Sequence, residues 1–298
     1  MEPTFHDDLL PNYSESGLAR LITASPRLAP ASSIFLLSST LISKHYEPTL
    51  VEDMVKATEV ARQLGILAPC IKRIITYEGN TYCIMERVRG NALEEMWIKL
   101  SWFTTIKLAL QLCHSVSLLR SVTSSTAGSV ASGECRSFWL EDRYGLPARS
   151  TPEYISSFFQ FWVNFTSIRK AKEAASDVSK QTKTDVLSVA PTFVLTHHDL
   201  APRNILLDLS GKLWLLDWDY AGFYPTYFEY AAMQNFYKPQ TWSFYTRLRW
   251  NLFSWIAVGR SEKEARVLRH IRSKFTRFAA GRRFELMLKG GPSRRPVS

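Results

Sequence analysis

Apolar and polar positions change their period several times along the chain, and each change predicts an element. Two short β-prone runs within residues 33–46 flank a small polar turn, which predicts a hairpin. Apolar residues then recur at helical spacing over residues 50–65. Two more runs, 71–77 and 81–88, predict a second hairpin. The order strand, strand, helix, strand, strand describes a small α+β unit.

Helical patterns dominate after this unit. Long apolar-periodic segments cover residues 102–122, 152–170 and 227–258, and the last is rich in Trp, Tyr and Phe. We interpret these aromatic residues as core packing rather than as a stacking platform for bases. Two short apolar strands, 205–207 and 213–216, interrupt the helices. The chain is therefore predicted to be α+β, with strands concentrated early and helices later.

Composition narrows the class of protein. The chain has 298 residues, of which 46% are hydrophobic and 21% charged, so it can bury a large core and is not a disordered protein. Its start lacks the basic and apolar runs of a signal peptide, and no stretch is long and apolar enough to span a membrane. The four cysteines form no CxxC pair, which indicates reduced thiols. We expect a cytoplasmic protein.

The net charge of +10 is concentrated at one end. Residues 265–298 contain ten Lys and Arg and one acid, which leaves the preceding chain nearly neutral. A basic terminal tail is a candidate contact for nucleic acid or for an anionic membrane. A nucleic-acid-binding protein that works through this tail is thus one alternative.

Polar residues that can carry chemistry cluster between Thr196 and Tyr220. Asp199 and Asn204 are five residues apart on a tight loop, and Asp217 follows the predicted strands. The hairpin between them would fold the chain back and bring three oxygen-bearing side chains together. Such ligands suit Mg²⁺, which takes one or two carboxylates together with substrate phosphates. Phosphoryl transfer needs this combination of positioning and charge neutralisation.

The same residues resemble a known family. The pattern His197-x-Asp199-x-x-x-x-Asn204, followed by Asp217, resembles the catalytic core of the protein-kinase-like phosphotransferases. The form Asp217-Trp218-Asp219 is similar to the aminoglycoside phosphotransferase and choline kinase branch. The resemblance covers residues 33–260 approximately. It implies a two-lobed protein-kinase-like fold, with a small β-rich N-lobe and a larger, mainly helical C-lobe.

The resemblance also implies an organisation of the chain. The four prolines of the first segment predict an irregular lead-in. The resemblance implies that a nucleotide-binding N-lobe follows, then a helical C-lobe that holds the catalytic loop, and finally the basic tail. The corresponding ranges are 1–32, 33–90, 91–264 and 265–298. The implied activity is Mg²⁺-dependent transfer of the γ-phosphoryl group of ATP or GTP to a hydroxyl of a small-molecule acceptor.

Roles on the catalytic side follow from the same resemblance. Asp199 would be the catalytic base that orients or deprotonates the acceptor hydroxyl. Asn204 and Asp217 would bind Mg²⁺. Asp219 would bind a second metal ion or, equally, cap the next segment. His197 would brace the catalytic loop.

Roles on the nucleotide side are assigned in the same way. Lys44, on a predicted strand, would hold the α- and β-phosphates, and a glutamate of the following helix would fix it. Glu52 and Glu59 are seven residues apart and share a helix face, so either qualifies, and we favour Glu59. The segment Tyr82–Gly90 resembles the hinge: Met85 would line the back of the adenine pocket, with the Glu86 carbonyl and the Val88 amide reading the base edge.

Two further alternatives remain open, and the first rests on a departure from the family pattern. No glycine precedes Lys44, although a loop that cradles phosphates normally uses glycines for close backbone approach. Ser38, Ser39 and Thr40 would have to substitute with hydroxyls. A catalytically inactive, kinase-like binding protein is therefore one alternative. A protein kinase is the other, because the loop His198-Asp-Leu-Ala-Pro-Arg-Asn204 also resembles a protein-kinase catalytic loop. Neither an Ala-Pro-Glu motif nor an activation segment follows Asp217.

Overall fold

The computed structural model describes residues 5–30, 32–140, 146–165 and 187–277. The chain forms two compact units, the first from Met1–Leu100 with Pro202–Asp219 and the second from Ser101–Ala201 with Tyr220–Ser298. Strands are β1 Ile34–Leu36, β2 Leu41–Tyr46, β3 Ile71–Tyr77, β4 Asn80–Glu86, β5 Gly90–Ala92, β6 Thr123–Ser124, β7 Gly128–Ser129, β8 Phe193–Thr196, β9 Ile205–Asp208, β10 Leu213–Leu215 and β11 Gly222–Tyr224. Helices are α1 Glu15–Ala24, α2 Pro48–Gln63, α3 Leu93–Met96, α4 Trp102–Arg120, α5 Pro152–Asn164, α6 Tyr227–Met233, α7 Phe244–Val258 and α8 Glu262–Arg277.

An antiparallel sheet in the order β1-β2-β4-β3 organises the first unit. Its two hairpins are those that the sequence predicted, and α2 begins with Pro48 at its first turn, where a missing N–H is tolerated. A second sheet, in the order β10-β9-β5, belongs to the same unit. The hairpin that follows the catalytic loop in sequence therefore packs with the N-terminal strands, whereas we had placed it in the helical region.

The prediction of an irregular lead-in over residues 1–32 is wrong. Residues Asp7–Asn12 form a 3₁₀ helix, and α1 starts where the Ser14 hydroxyl accepts the Gly17 N–H at 3.1 Å. Leu18 and Ile22, one turn apart, are fully buried in a cluster with Phe35 of β1. The prolines lie outside α1 and do not prevent it from forming, because this helix has both an N-terminal cap and an apolar face.

The second unit is mainly helical around a small sheet in the order β6-β8-β11-β7. Three tryptophans are fully buried in this unit: Trp139, Trp162 and Trp250. Most aromatic residues of 224–255 are core, as predicted, but Tyr237, Phe244 and Tyr245 are exposed. The α+β class with strands early and helices later is confirmed.

The basic tail proposed for residues 265–298 is partly a packed helix. Ala265, Leu268, Ile271 and Phe275 of α8 are buried, since they recur at helical spacing among the basic residues. Residues 278–298 lie outside the described part of the chain. Within that part, no helix combines the length and the apolar character that a bilayer span requires.

Candidate active site

Lys44 lies in the middle of β2, paired with Ile34 of β1 on one side and Cys83 of β4 on the other. Its ammonium is mostly buried and contacts two carboxylates of the same unit. Nζ donates to Oδ1 of Asp217 at 2.6 Å and to Oδ2 of Asp219 at 2.8 Å. Burial alone would lower the pKa of Lys44, but the two carboxylates outweigh it and raise the pKa. Lys44 is therefore protonated and positively charged at neutral pH.

A tight turn after β10 directs both acids to Lys44. Asp217 has a φ of 64°, in the left-handed region, so the strand ends abruptly there. Trp218 between the two acids is buried, and its indole N–H donates to the Leu215 carbonyl at 3.0 Å. The Trp218 side chain thus points into the core, and the carboxylates of its two neighbours point to Lys44. Burial and the neighbouring Asp217 raise the pKa of Asp219.

The donor set of this turn fits a hard divalent cation. Oδ1 of Asp219 is buried without a hydrogen-bond partner among the described residues. Asn204 ends a 3₁₀ turn, is 5% exposed, and accepts the Leu216 N–H on its carbonyl at 2.9 Å, which ties it to the turn that carries the acids. Across the described ranges, no three His, Cys, Asp or Glu side chains form a metal cluster. A pair of carboxylates is what Mg²⁺ requires when phosphates complete its coordination.

The structure brings neither predicted glutamate to Lys44. Glu52 and Glu59 are both exposed on α2, and Glu59 pairs with Lys56 of its own helix at 3.8 Å. The two glutamates do share a face, but that face is the outer one. The acid of α2 that points inward is Asp53, which is 2% exposed.

Residues of the predicted hinge border a cavity of about 400 Å³ within the first unit. Glu86 and Val88 line it together with Thr40, Asp208 and Trp214. Met85, one residue earlier on β4, is buried and is not part of this lining. The cavity thus combines the end of the hinge segment with the turn between β1 and β2 and with the β9–β10 hairpin.

Most hydroxyls of the β1–β2 turn are already engaged. The Ser38 hydroxyl accepts the N–H groups of Thr40 and Leu41 at 3.1 and 3.0 Å. The Thr40 hydroxyl donates to Oδ2 of Asp7. Without glycine the turn is held by side chains, and these hydroxyls are not freely available to a phosphate.

Asp199 belongs to the second unit, where its loop follows β8. The carboxylate of Glu229, on α6, accepts the backbone N–H of His197 at 2.7 Å and that of His198 at 3.0 Å. The Asp199 N–H donates to Nδ1 of His197 at 3.3 Å. Burial raises the pKa of Glu229 to about 7, although both donated hydrogen bonds favour its ionised form. Asp199 is thus presented by a loop with a fixed backbone.

His198 adds a second anchor to this loop. It has a φ of 68° and is fully buried, with Nε2 2.8 Å from the Ser137 hydroxyl and 3.3 Å from the Phe138 N–H. Burial, with a smaller contribution from His197, lowers the pKa of His198 to about 3, so the ring is neutral. These contacts give His198 a packing role that holds the loop in place.

Sequence reasoning missed Glu229. A signal was available, because it is the one acid in the run Tyr-Phe-Glu-Tyr-Ala-Ala-Met of α6, where every other residue is apolar or aromatic. An acid buried in such a helix requires donors that the helix does not supply. The donors are the N–H groups of the loop before Asp199, which sequence spacing does not reveal.

Comparison with known proteins gives a fold and a family. The model of the phosphotransferase enzyme family, APH, matches residues 31–249. The crystal structure of aminoglycoside phosphotransferase APH(4)-Ia has a TM-score of 0.50 at 16% identity, with 94% of this chain and 98% of that chain covered. Choline kinase LicA from Streptococcus pneumoniae has a TM-score of 0.44 at 13% identity, over 91% and 89% of the two chains. No curated protein sequence matches.

Likeness at such low identity shows the fold alone, so the family rests on the match over residues 31–249, which is most of the chain. That match includes Lys44, the loop of Asp199 and the turn of Asp217. The protein belongs to the APH phosphotransferase enzyme family, the branch that its Asp217-Trp218-Asp219 form resembles.

Proposed function

We propose that the protein transfers the γ-phosphoryl group of ATP or GTP to a hydroxyl of a small molecule in an Mg²⁺-dependent reaction. The observation that carries the proposal is the convergence of the Lys44 ammonium on Asp217 and Asp219 at 2.6 and 2.8 Å. A cation for phosphates beside two metal-binding carboxylates is what phosphoryl transfer requires. Membership of the phosphotransferase family favours this function over the protein kinase alternative.

The nucleotide would use groups of the first unit. The cavity beside Glu86 and Val88 offers space for a base, whose edge the Glu86 carbonyl and the Val88 N–H would contact, with Met85 packed behind. Lys44 would exchange its carboxylate partners for the phosphates. The four cysteines are free, which favours the reducing, cytoplasmic setting predicted from the sequence.

Asn204, Asp217 and Asp219 would hold Mg²⁺. When bound, the ion supplies charge neutralisation on the phosphates. Asp219 is the stronger candidate for a ligand than for a helix cap, because its buried Oδ1 lacks a hydrogen-bond partner among the described residues. Asp217, which is more exposed, would provide the other carboxylate.

Asp199 would accept the hydroxyl proton of the acceptor. Its loop backbone is fixed by Glu229 and by His198, so the carboxylate needs little reorganisation when the acceptor arrives. A positioned carboxylate that orients a hydroxyl and accepts its proton typically raises the reaction rate by about 10²–10⁴-fold.

A direct test measures nucleoside diphosphate release with Mg²⁺ and ATP or GTP across a panel of hydroxyl-bearing small molecules. Asp199→Ala should reduce acceptor-dependent release by about a thousandfold while nucleotide binding is kept. Glu94→Ala, which removes an exposed acid of the other unit, is the matched control. Wild-type turnover in Asp199→Ala would show that Asp199 is not the base.

A binding protein without catalysis is the second candidate, and the β1–β2 turn favours it. The Ser38 hydroxyl is hydrogen-bonded within the turn, and the Thr40 hydroxyl donates to Asp7. The turn contains no glycine that would let its backbone N–H groups approach a phosphate closely. Mg²⁺-dependent stabilisation by nucleotide separates the two candidates, since a ligand that binds the native state raises its melting temperature. Absence of a shift at millimolar ATP and GTP would favour the inactive protein.

A further inference from the structure

One surface of the second unit combines large exposed rings with clustered cations. Tyr237, Phe244 and Tyr245 are 79%, 74% and 73% exposed, although residues of this type are ordinarily buried. Phe244 and Tyr245 occupy the first turn of α7, with their ring centroids 5.8 Å apart. Ser243 caps this helix, since its hydroxyl accepts the Thr246 N–H at 3.2 Å. The cap fixes the turn that carries the two exposed rings.

Three basic residues, exposed or half-buried, belong to the same part of the second unit. Lys238 directly follows Tyr237, Arg247 lies one turn along α7, and Arg269 comes from α8. Burial, followed by the positive charges of Arg247 and Arg269, lowers the pKa of Lys238. The segment that carries the rings, Lys238 and Arg247 contains no acid, since the sequence has none between Glu229 and Glu262. Arg269 lies on α8, which begins with the acids Glu262 and Glu264.

We propose that this face binds the surface of an anionic phospholipid membrane. We refer to it as the apolar–basic face, and it consists of Tyr237, Lys238, Phe244, Tyr245, Arg247 and Arg269. The positive charges are complementary to anionic headgroups. Aromatic rings favour the headgroup region of a membrane, where one edge of the ring contacts water and the other contacts apolar chains. This inference is independent of the phosphotransferase activity.

Aliphatic side chains favour a membrane over nucleic acid as the occupant. Leu248 follows the rings on α7 and is exposed, and α4, which packs along α7, exposes Phe103, Ile106 and Leu110 on one side. Bases stack on aromatic rings and guanidinium groups, but branched aliphatic chains gain nothing from stacking. They gain instead from immersion at the boundary between headgroups and acyl chains.

Flotation of the full-length protein with vesicles tests the proposal. We expect binding to vesicles of phosphatidylcholine with phosphatidylserine and none to phosphatidylcholine alone. Phe244→Ser/Tyr245→Ser should reduce the partition coefficient at least tenfold without a change of charge. Arg247→Gln should reduce it about fivefold. Leu28→Ser and Lys72→Gln, exposed residues of the other unit, are the matched controls and should bind like wild type.

Three outcomes would overturn the proposal. Both face variants could bind vesicles as wild type does, which would assign any binding to another part of the chain, such as the basic residues 278–298. Salt-sensitive binding of RNA or DNA, lost in the same variants, without vesicle binding would identify nucleic acid as the partner. A concentration-dependent dimer that dissociates in Phe244→Ser/Tyr245→Ser, again without vesicle binding, would identify a second copy of the chain.

Discussion

The ammonium of Lys44 lies 2.6 Å from Oδ1 of Asp217, so the residue proposed to hold phosphates is bound to a residue proposed to hold metal. Asp219 completes the arrangement on the other side of the same ammonium. One lysine charge thus offsets two carboxylates in the protein without nucleotide. The phosphates of a nucleotide would replace the carboxylates as partners of Lys44, and Mg²⁺ would replace Lys44 as the partner of the carboxylates. Binding of the nucleotide and binding of the metal should therefore favour each other.

Removal of Lys44 should therefore have opposite effects on metal and on nucleotide. In Lys44→Met the two carboxylates lose their cation, and Mg²⁺ alone should bind about tenfold more tightly, which corresponds to about 1.4 kcal/mol. We keep the figure small because Asp217 is partly exposed and solvent screens the pair. Nucleotide affinity in the presence of Mg²⁺ should fall, since the phosphates lose a charged donor. Titration calorimetry measures both.

Lys72→Met provides the matched control, because Lys72 is an exposed lysine of the same unit. It should change neither affinity. Equal Mg²⁺ affinity in Lys44→Met and wild type would argue that Asp217 and Asp219 do not bind the ion.

Glu229 should make stability fall as pH rises. Its pKa is raised from the ordinary glutamate value to about 7 by burial, so the native state holds a proton that the unfolded chain has released. The stabilisation is complete below the unfolded pKa and is lost as pH rises through about 7. Between pH 5 and 7 this contribution to the free energy of unfolding should fall by about 2 kcal/mol. Glu229→Gln should remove this contribution from the pH profile of urea unfolding, whereas Glu94→Gln, an exposed control, should keep the wild-type profile.

His198 should act in the opposite direction. Burial lowers its pKa to about 3, so the unfolded chain takes up a proton below its ordinary pKa and the native state does not. Stability should therefore fall by about 2 kcal/mol as pH drops from 6.5 to 5. His198→Asn removes the titration and tolerates the positive φ of this position.

The two titrations nearly cancel in the wild-type protein, so the single variants are informative. Between pH 5 and 6.5 Glu229→Gln should become more stable with rising pH, and His198→Asn less stable. Unfolding midpoints measured over this range distinguish the two slopes. If both variants followed the wild-type profile, neither group would titrate as its burial implies.

Local sequence patterns were sufficient for most elements. The hairpins at 33–46 and 71–88 and the helix that begins at Pro48 were predicted within a few residues, because alternation and helical spacing are local properties. The lead-in was missed because four prolines outweighed the apolar spacing of Leu18 and Ile22. The assignment of the β9–β10 hairpin to the helical region failed because β5, its partner strand, is more than a hundred residues away.

Site residues followed the same division. The family resemblance singled out Lys44, Asp217 and Asp219, which the structure brings together. The acid nearest to Lys44 could not be predicted from the shared face of Glu52 and Glu59. Spacing defines which helix residues share a face, whereas tertiary packing decides which face is turned inward. Asp53 is the acid on the inner face.

Gly90 should tolerate no side chain, since β5 and β9 meet closely there. It pairs with Asp208, and a Cβ built on it would lie 2.3 Å from the Leu207 carbonyl oxygen, which is backbone and cannot turn away. Gly90→Ala must push the two strands apart, which should lower the free energy of unfolding by about 1–3 kcal/mol. Asn91→Ala, the exposed neighbour on the same strand, should change it little. Urea unfolding measures both, and an unaltered midpoint in Gly90→Ala would contradict the close approach. Because Asp208 also lines the cavity beside Val88, we expect Gly90→Ala to weaken nucleotide binding as well, whereas Asn91→Ala should not.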